Sequence, residues 1–231
     1  MADIEKAAKR ELGIDLSGKL VELQDALEKS KAIYGDVRTM LSARVGFTLM
    51  MQIEDRRSKP TQRSDDFDVV YKQAMEAQQI VMDELASAWV VDPEQPNVKH
   101  PARGAAKHAW VEFADSPGVK GEKRAREKMA NDYDGHANQL KDLARLTLRF
   151  NDPRNLVTGY HALSDLGYDI VVVKNKYKSP TPMGYSDLNL VVAVKLRDGT
   201  PYLCEMQLNL IAMLDAKNEA HEHYEIIRSK L

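Results

Sequence analysis

The chain has 231 residues, 43% of them hydrophobic and 29% charged, with a net charge of -2 and a single cysteine, Cys204. That composition excludes a disordered chain, a collagen-like repeat and a disulfide scaffold, and it leaves any metal to be held by oxygen or histidine. A net charge this close to zero excludes a broad basic surface for nucleic acid and sequence-specific DNA binding. No apolar run approaches the roughly 20 residues that cross a bilayer, so no membrane partner is expected and the expected location is the cytoplasm, the chain's own or a target cell's.

In chain order, Leu16, Leu20, Leu23 and Leu27 recur at helical spacing, as do Val37, Leu41, Val45 and Leu49, and then Val70, Ala74, Ala77, Val81 and Leu85. Helices are expected there, broken at Gly35 and over the polar stretch 56–66 with Pro60. Pro93, Pro96 and Pro101 interrupt any helix and read as a linker or ordered crossing, followed by a short helix over 105–114 and another over 120–131. Runs rich in β-branched and aliphatic residues then predict strands over 143–150, 168–174, 185–197 and 202–209. Asp152-Pro153 starts a helix between the first two, Asp198-Gly199 turns a hairpin between the last two, and 210–230 closes as a helix. The expected fold is α+β: a mixed sheet with one β-α-β crossover, flanked by helices, in residues 105–231, preceded by a helical region over 1–104.

Several features carry chemistry. Lys120, Arg124 and Lys128 fall at i, i+4 and i+8, which stacks three cations on one helical face and calls for an anion to compensate. A solvated face neutralised by Glu122 and Glu127 is one reading, and a polyphosphate clamp is the other. Strand alternation places Cys204, Met206, Leu208 and Leu210 on one face and Glu205, Gln207 and Asn209 on the other, while Asp187 and Asn189 alternate with leucines in the strand before. Asp142 begins the first strand, from which Arg145 and Arg149 project. Two separated acids beside several cations suit phosphoryl chemistry, with carboxylate oxygens for Mg²⁺ and cations for phosphate. The basic loop 175–185, with Lys176, Lys178 and Gly184-Tyr185, offers an aromatic surface on which a purine can stack.

Read together, residues 120–128, Lys141-Asp142-Leu143-Ala144-Arg145, the loop 175–185, Glu205-Met206-Gln207, and the closing Ala216-Lys217 and His221-Glu222-His223 resemble the synthetase domain of the RelA/SpoT family, over about 120–228. The resemblance implies a nucleotidyltransferase-like synthetase fold and transfer of pyrophosphate from ATP to the 3′-hydroxyl of a purine nucleotide. It implies that Lys120, Arg124 and Lys128 bind the ATP phosphates, with Arg145 and Arg149 against adenine. It implies that Asp142 binds Mg²⁺, and that Glu205 assists the metal or takes the proton from the attacking hydroxyl. Acceptor contacts would come from Tyr185 by stacking, from Lys176, Lys178 and Asn175 in the loop, and from Gln207 and His221.

The departures from housekeeping members are Gly118, Arg124, Thr147, Asn189 and Asn209. With Gly184-Tyr185-Ser186-Asp187 they make the sequence look more like the small toxic members, some of them effector toxins. Nothing resembles the family's hydrolase domain, so the expectation is a growth-inhibiting synthetase of (p)ppGpp or (p)ppApp type, neutralised by an antitoxin or immunity protein. Two alternatives stand beside it: pyrophosphorylation of the 3′-terminal adenosine of tRNA, and a catalytically silent interaction module whose helical half binds a partner.

Overall fold

A computed structural model describes residues 17–91, 98–101, 111–113 and 117–230. Among the described residues three helices come first: α1 (Ser17–Ser42), α2 (Phe47–Gln52) and α3 (Phe67–Ala88). Three short strands follow, β1 (Trp89–Val91), β2 (Val98–Pro101) and β3 (Val111–Phe113), and then α4 (Glu122–Asp132). The remainder is β4 (Arg145–Phe150), α5 (Pro153–Asp165), β5 (Asp169–Asn175), β6 (Leu188–Lys195), β7 (Pro201–Leu210), α6 (Ile211–Glu219) and α7 (His221–Lys230). The fold is α+β with a mixed sheet flanked by helices, ordered β1-β2-β3-β4-β7-β6-β5. Among the described strands only β4 and β7 run parallel. The right place for that pairing is the sheet centre, where both faces are covered.

The four C-terminal strands fall where their aliphatic runs predict, and their local signals operate as expected. Asp152 caps α5 by accepting a bond from the Arg154 amide at 2.8 Å, with Pro153 in the first turn. The 198–199 turn closes β6 onto β7, with Thr200 N donating to Asp198 Oδ1. Along β7, Cys204, Met206, Leu208 and Leu210 are buried in the apolar core, against Val70, Ala74, Ala77 and Val81 of α3 and Leu156 and Leu163 of α5. The alternate residues form the other, polar face.

Three expectations change. Gly35 does not break a helix: α1 runs through it. The break comes instead at Gly46, held at φ 97°, where an added Cβ would lie 2.4 Å from the Arg154 side chain and 2.8 Å from its amide. Of the short helix expected over 105–114, residues 111–113 form β3 and 105–110 lie outside the described residues. The closing helix is two, α6 and α7, separated at Ala220.

One apolar cluster joins Tyr34, Leu41, Met50, Ile53 and Phe67 to Leu146, Leu190, Leu208 and Met213, so packing runs across the 104/105 division. Residues 53–62 also run beside β5: Arg56 and Val173 exchange both backbone hydrogen bonds at 3.0 Å, and Ser58 Oγ donates to Val171 O at 2.6 Å. Gln62, almost fully buried, donates to Leu140 O and Leu203 O and accepts from Leu203 N. Among the described residues no helix is long and apolar enough to cross a membrane.

Candidate active site

The segment before β4 brings the first acid and two of the predicted cations together. Asp142 Oδ2 accepts from Lys120 Nζ at 2.6 Å and from Lys128 Nζ at 2.8 Å. Lys120 is not helical: α4 starts at Glu122, and the Lys120 amide instead bonds to Leu143 O at 2.9 Å, which holds its side chain beside the strand. The like charges expected to stack on one helix are thus bridged by a carboxylate. Burial raises the pKa of Asp142, but the two ammonium groups outweigh it and hold the carboxyl below its usual range. Burial likewise pulls Lys128 down, and Asp142 outweighs it, leaving the ammonium above its ordinary value; the Glu205 carboxylate acts in the same direction. Oδ1 of Asp142 is buried and, among the described residues, has no hydrogen-bond partner. Arg124, the third predicted cation, is exposed on α4.

The parallel register lays out the rest of the polar face. Arg145 sits opposite Glu205, Thr147 opposite Gln207, and Arg149 opposite Asn209. Across β6, Asn189 lies opposite Gln207 and Lys174 opposite Asn189. Gln207 Nε2 donates to Glu205 Oε1 at 2.8 Å, which fixes one carboxylate oxygen. Arg145 Nε is buried and, among the described residues, has no hydrogen-bond partner. Arg145, Glu205 and Gln207 are half-buried, so the row faces a partly covered cleft rather than open water.

The basic loop is held from beneath by the N-terminal helices. Asn175, 2% exposed, donates to Met50 O and Ile53 O and accepts from Tyr177 N, so its side chain serves the fold. Arg38 of α1 donates to Tyr177 O at 2.6 Å. Lys178 pairs with Glu54 at 3.0 Å. Lys176 pairs with the buried Asp187 at 2.8 Å and lies over the Tyr185 ring at 5.6 Å, with Lys217 at 5.3 Å. The Tyr185 hydroxyl donates to Asp187 Oδ2 or Asn209 Oδ1, at 3.2 and 2.9 Å, and its pKa is pushed up by burial and by Asp187. Tyr34 of α1 meets the same ring edge-on at 5.8 Å. Tyr185 is therefore a half-buried ring flanked by two ammonium groups rather than a free stacking surface. His221 is exposed at the start of α7 and, among the described residues, has no hydrogen bond or ion pair.

Beside this row lies a cleft of about 550 Å³ lined by Arg57, Lys59, Tyr133, Lys141, Lys174 and Lys176, among others. Arg57, Lys59, Tyr133 and Lys174 are the part that the sequence reading passes over. Lys174 was legible, since it shares a strand face with Val172 near the end of β5. Arg57 and Lys59 were not, because only the long-range bonds of Arg56, Ser58 and Gln62 carry them there. Among the described residues no group of three or more His, Cys, Asp or Glu side chains converges, so the acids offer a metal two carboxylates at most.

No family model matches the chain, and no curated protein is significantly similar to it. Among solved structures, the chain is similar to the type VI effector Tas1 in complex with its immunity protein, at 26% identity over 71% of this chain and 75% of that one, with a TM-score of 0.42. It is also similar to small alarmone synthetase 1 from Bacillus subtilis bound to its product pppGpp, at 16% identity, 71% and 87% coverage and a TM-score of 0.47. A second structure of that synthetase gives 14% identity, 71% and 91% coverage and a TM-score of 0.41.

Proposed function

We propose that the chain is a Mg²⁺-dependent pyrophosphokinase that uses ATP as donor and a purine nucleotide as acceptor, acting as a growth inhibitor. The observation that carries the reading is the Lys120–Asp142–Lys128 bridge with its unpartnered Oδ1, set beside the Arg145 and Glu205 pair in register. A lone structural ion pair has no use for a second buried carboxylate oxygen left without a donor, since an unsatisfied buried acceptor costs free energy. Mg²⁺ takes one or two carboxylates together with substrate phosphates and waters, and Asp142 with Glu205 matches that donor set. When bound, the ion would neutralise charge developing on the transferred phosphates.

The chain's residues divide the work as follows. Lys120 and Lys128 release Asp142 and turn to the donor phosphates, and Arg145 lies along the same face toward the adenine end. The acceptor's 3′-oxygen bonds to the donor β-phosphorus, the bond from that phosphorus to the bridging α,β-oxygen breaks, and AMP leaves. Glu205, with one oxygen fixed by Gln207, accepts the hydroxyl proton through the other. Lys176 and Lys217, which crowd the Tyr185 ring, neutralise the acceptor as it settles there. Positioning and charge stabilisation supply most of the rate in such reactions. The same site would also carry the toxicity, and an immunity protein would act by covering this face.

The test is incubation with γ-labelled ATP, Mg²⁺ and, in turn, GDP, GTP, ADP, AMP or tRNA, with products identified by mass spectrometry. The expected result is an acceptor heavier by a pyrophosphate together with one AMP per turnover. No such product from any nucleotide refutes the reading, and label transferred only to tRNA replaces its acceptor.

A further inference from the structure

The cleft beside the polar row has two walls of different origin. One is made of Lys174 and Lys176 at the end of β5 and Lys141 next to Asp142. The other is the strap 55–61, which lies outside the segment that resembles any synthetase motif and contributes Arg57 and Lys59. Among the described residues Asp55 is the only carboxylate in the lining, and its oxygens are taken by the Asn175 amide at 2.7 Å and by Arg57 at 3.1 Å. Lys176 has Asp187. Among the described residues Lys59, Lys141 and Lys174 have no carboxylate partner, so three ammonium groups around one cleft await an anion. Tyr133 closes the floor, with Lys128 and Lys141 over its ring at 5.6 and 5.9 Å.

We infer that the strap gauges the acceptor's 5′-phosphate chain: Arg57 and Lys59 hold its outer phosphates, so the acceptor is a free nucleoside 5′-polyphosphate rather than an RNA 3′ end. The inference rests on the proposed reaction at this same site. Charge matching is the first argument. A terminal RNA nucleotide brings one diester charge into such a space, whereas a 5′-di- or triphosphate brings three or four, enough for the unpaired lysines and Arg57. Access is the second. An RNA strand must leave the cleft, and on the β5 side the way out is crossed by backbone, pinned where Arg56 pairs with Val173, Ser58 bonds Val171, and buried Gln62 bonds Leu140 and Leu203. Moving the strap aside would break those bonds.

The experiment is calorimetric binding to the full chain, without Mg²⁺, of GTP, GDP and GMP, of ATP, ADP and AMP in parallel, and of a short RNA ending in a 3′-adenosine. The wild-type chain should bind at least one triphosphate about 30-fold or more tighter than the matching monophosphate, and bind the RNA no better than the monophosphate. The double variant R57A/K59A should lose about tenfold or more toward that triphosphate and less than threefold toward the monophosphate, and R57K/K59R should retain wild-type affinity. Equal binding of mono- and triphosphate, an equal loss on both in the variant, or preference for the RNA overturns the inference. If the graded binding appears while labelled ATP yields no pyrophosphorylated acceptor, the strap's role stands and the reaction proposed above falls.

Discussion

Replacing Asp142 by Asn separates two roles that the wild-type carboxylate combines. The side chain is 16% exposed, its partners Lys120 and Lys128 16% and 27%, and both bonds are charge-assisted. Truncating one partner of a fully buried ion pair costs about 3–5 kcal/mol. Here partial exposure screens the pair, and the asparagine keeps a carbonyl oxygen for one lysine, so about 2 kcal/mol is expected at neutral pH. In a chain of this size that lowers Tm by roughly 4–8 °C. The pH dependence follows from the shifts. Asp142 has a folded pKa below its ordinary 3.8, so its contribution is present above that value and lost as pH falls through the folded pKa. Lys128 is raised above 10.5, so its contribution is complete below that value and lost only as pH climbs through its folded pKa. Urea denaturation of both proteins, followed by far-ultraviolet circular dichroism, should show a constant gap from about pH 5 to pH 9 that closes toward pH 2. A gap under about 0.5 kcal/mol at pH 7, or one that persists unchanged in acid, refutes the bridge as described.

Four further outcomes are expected. Glu205→Gln should cut pyrophosphate transfer by at least about 100-fold while leaving Tm nearly unchanged, because the glutamine still accepts from Gln207. Gln62→Leu strips partners from Leu140 O and from both backbone groups of Leu203, and should cost about 3 kcal/mol in chemical denaturation. Gly184→Ala meets φ 98° and the Tyr34 Cβ at 3.0 Å, and should cost roughly 1–2 kcal/mol in the same measurement. His136, bonded to Asp65 at 2.8 Å, should titrate above 6.5 by NMR and return toward that value in Asp65→Asn; the pair favours the fold below 6.5 and its effect fades as pH rises through the folded pKa.

The sequence carried the sheet because its information there is local. Period-two alternation in 202–209, Asp152-Pro153 and Asp198-Gly199 each act within a few residues, and each appears in place. Asp142, Lys128 and Glu205 were legible as chemistry for the same reason, since carboxylates and lysines in strand and helix patterns stand out. Lys120 was assigned to the right cluster by the wrong geometry: the backbone bond to Leu143 that takes it out of the helix is a tertiary contact. Tyr185 and Asn175 illustrate the opposite error. An aromatic after glycine and an amide in a basic loop look available, and only the positions of α1 and α2, more than a hundred residues away, engage them. The cleft wall at Arg57 and Lys59 had no periodicity at all, because a strap is held by a few long-range bonds and not by a repeating face.

The place of β7 in the sheet bears on how the molecule is assembled. It lies between β4 and β6, yet it is the last strand in the described chain. Until it docks, β4 has no neighbour on that side, the β5–β6 hairpin is unanchored, and Gln62 lacks the partner 141 residues ahead. Pairings of such sequence separation form late and slowly, because loop closure must precede their reward. A nascent chain stopped before residue 201 thus lacks Glu205, the proposed proton acceptor, and the strand that unites both halves of the sheet. Such a chain holds Asp142 and Lys128 without Glu205, so the proposed reaction is expected only once residues 201–210 have docked.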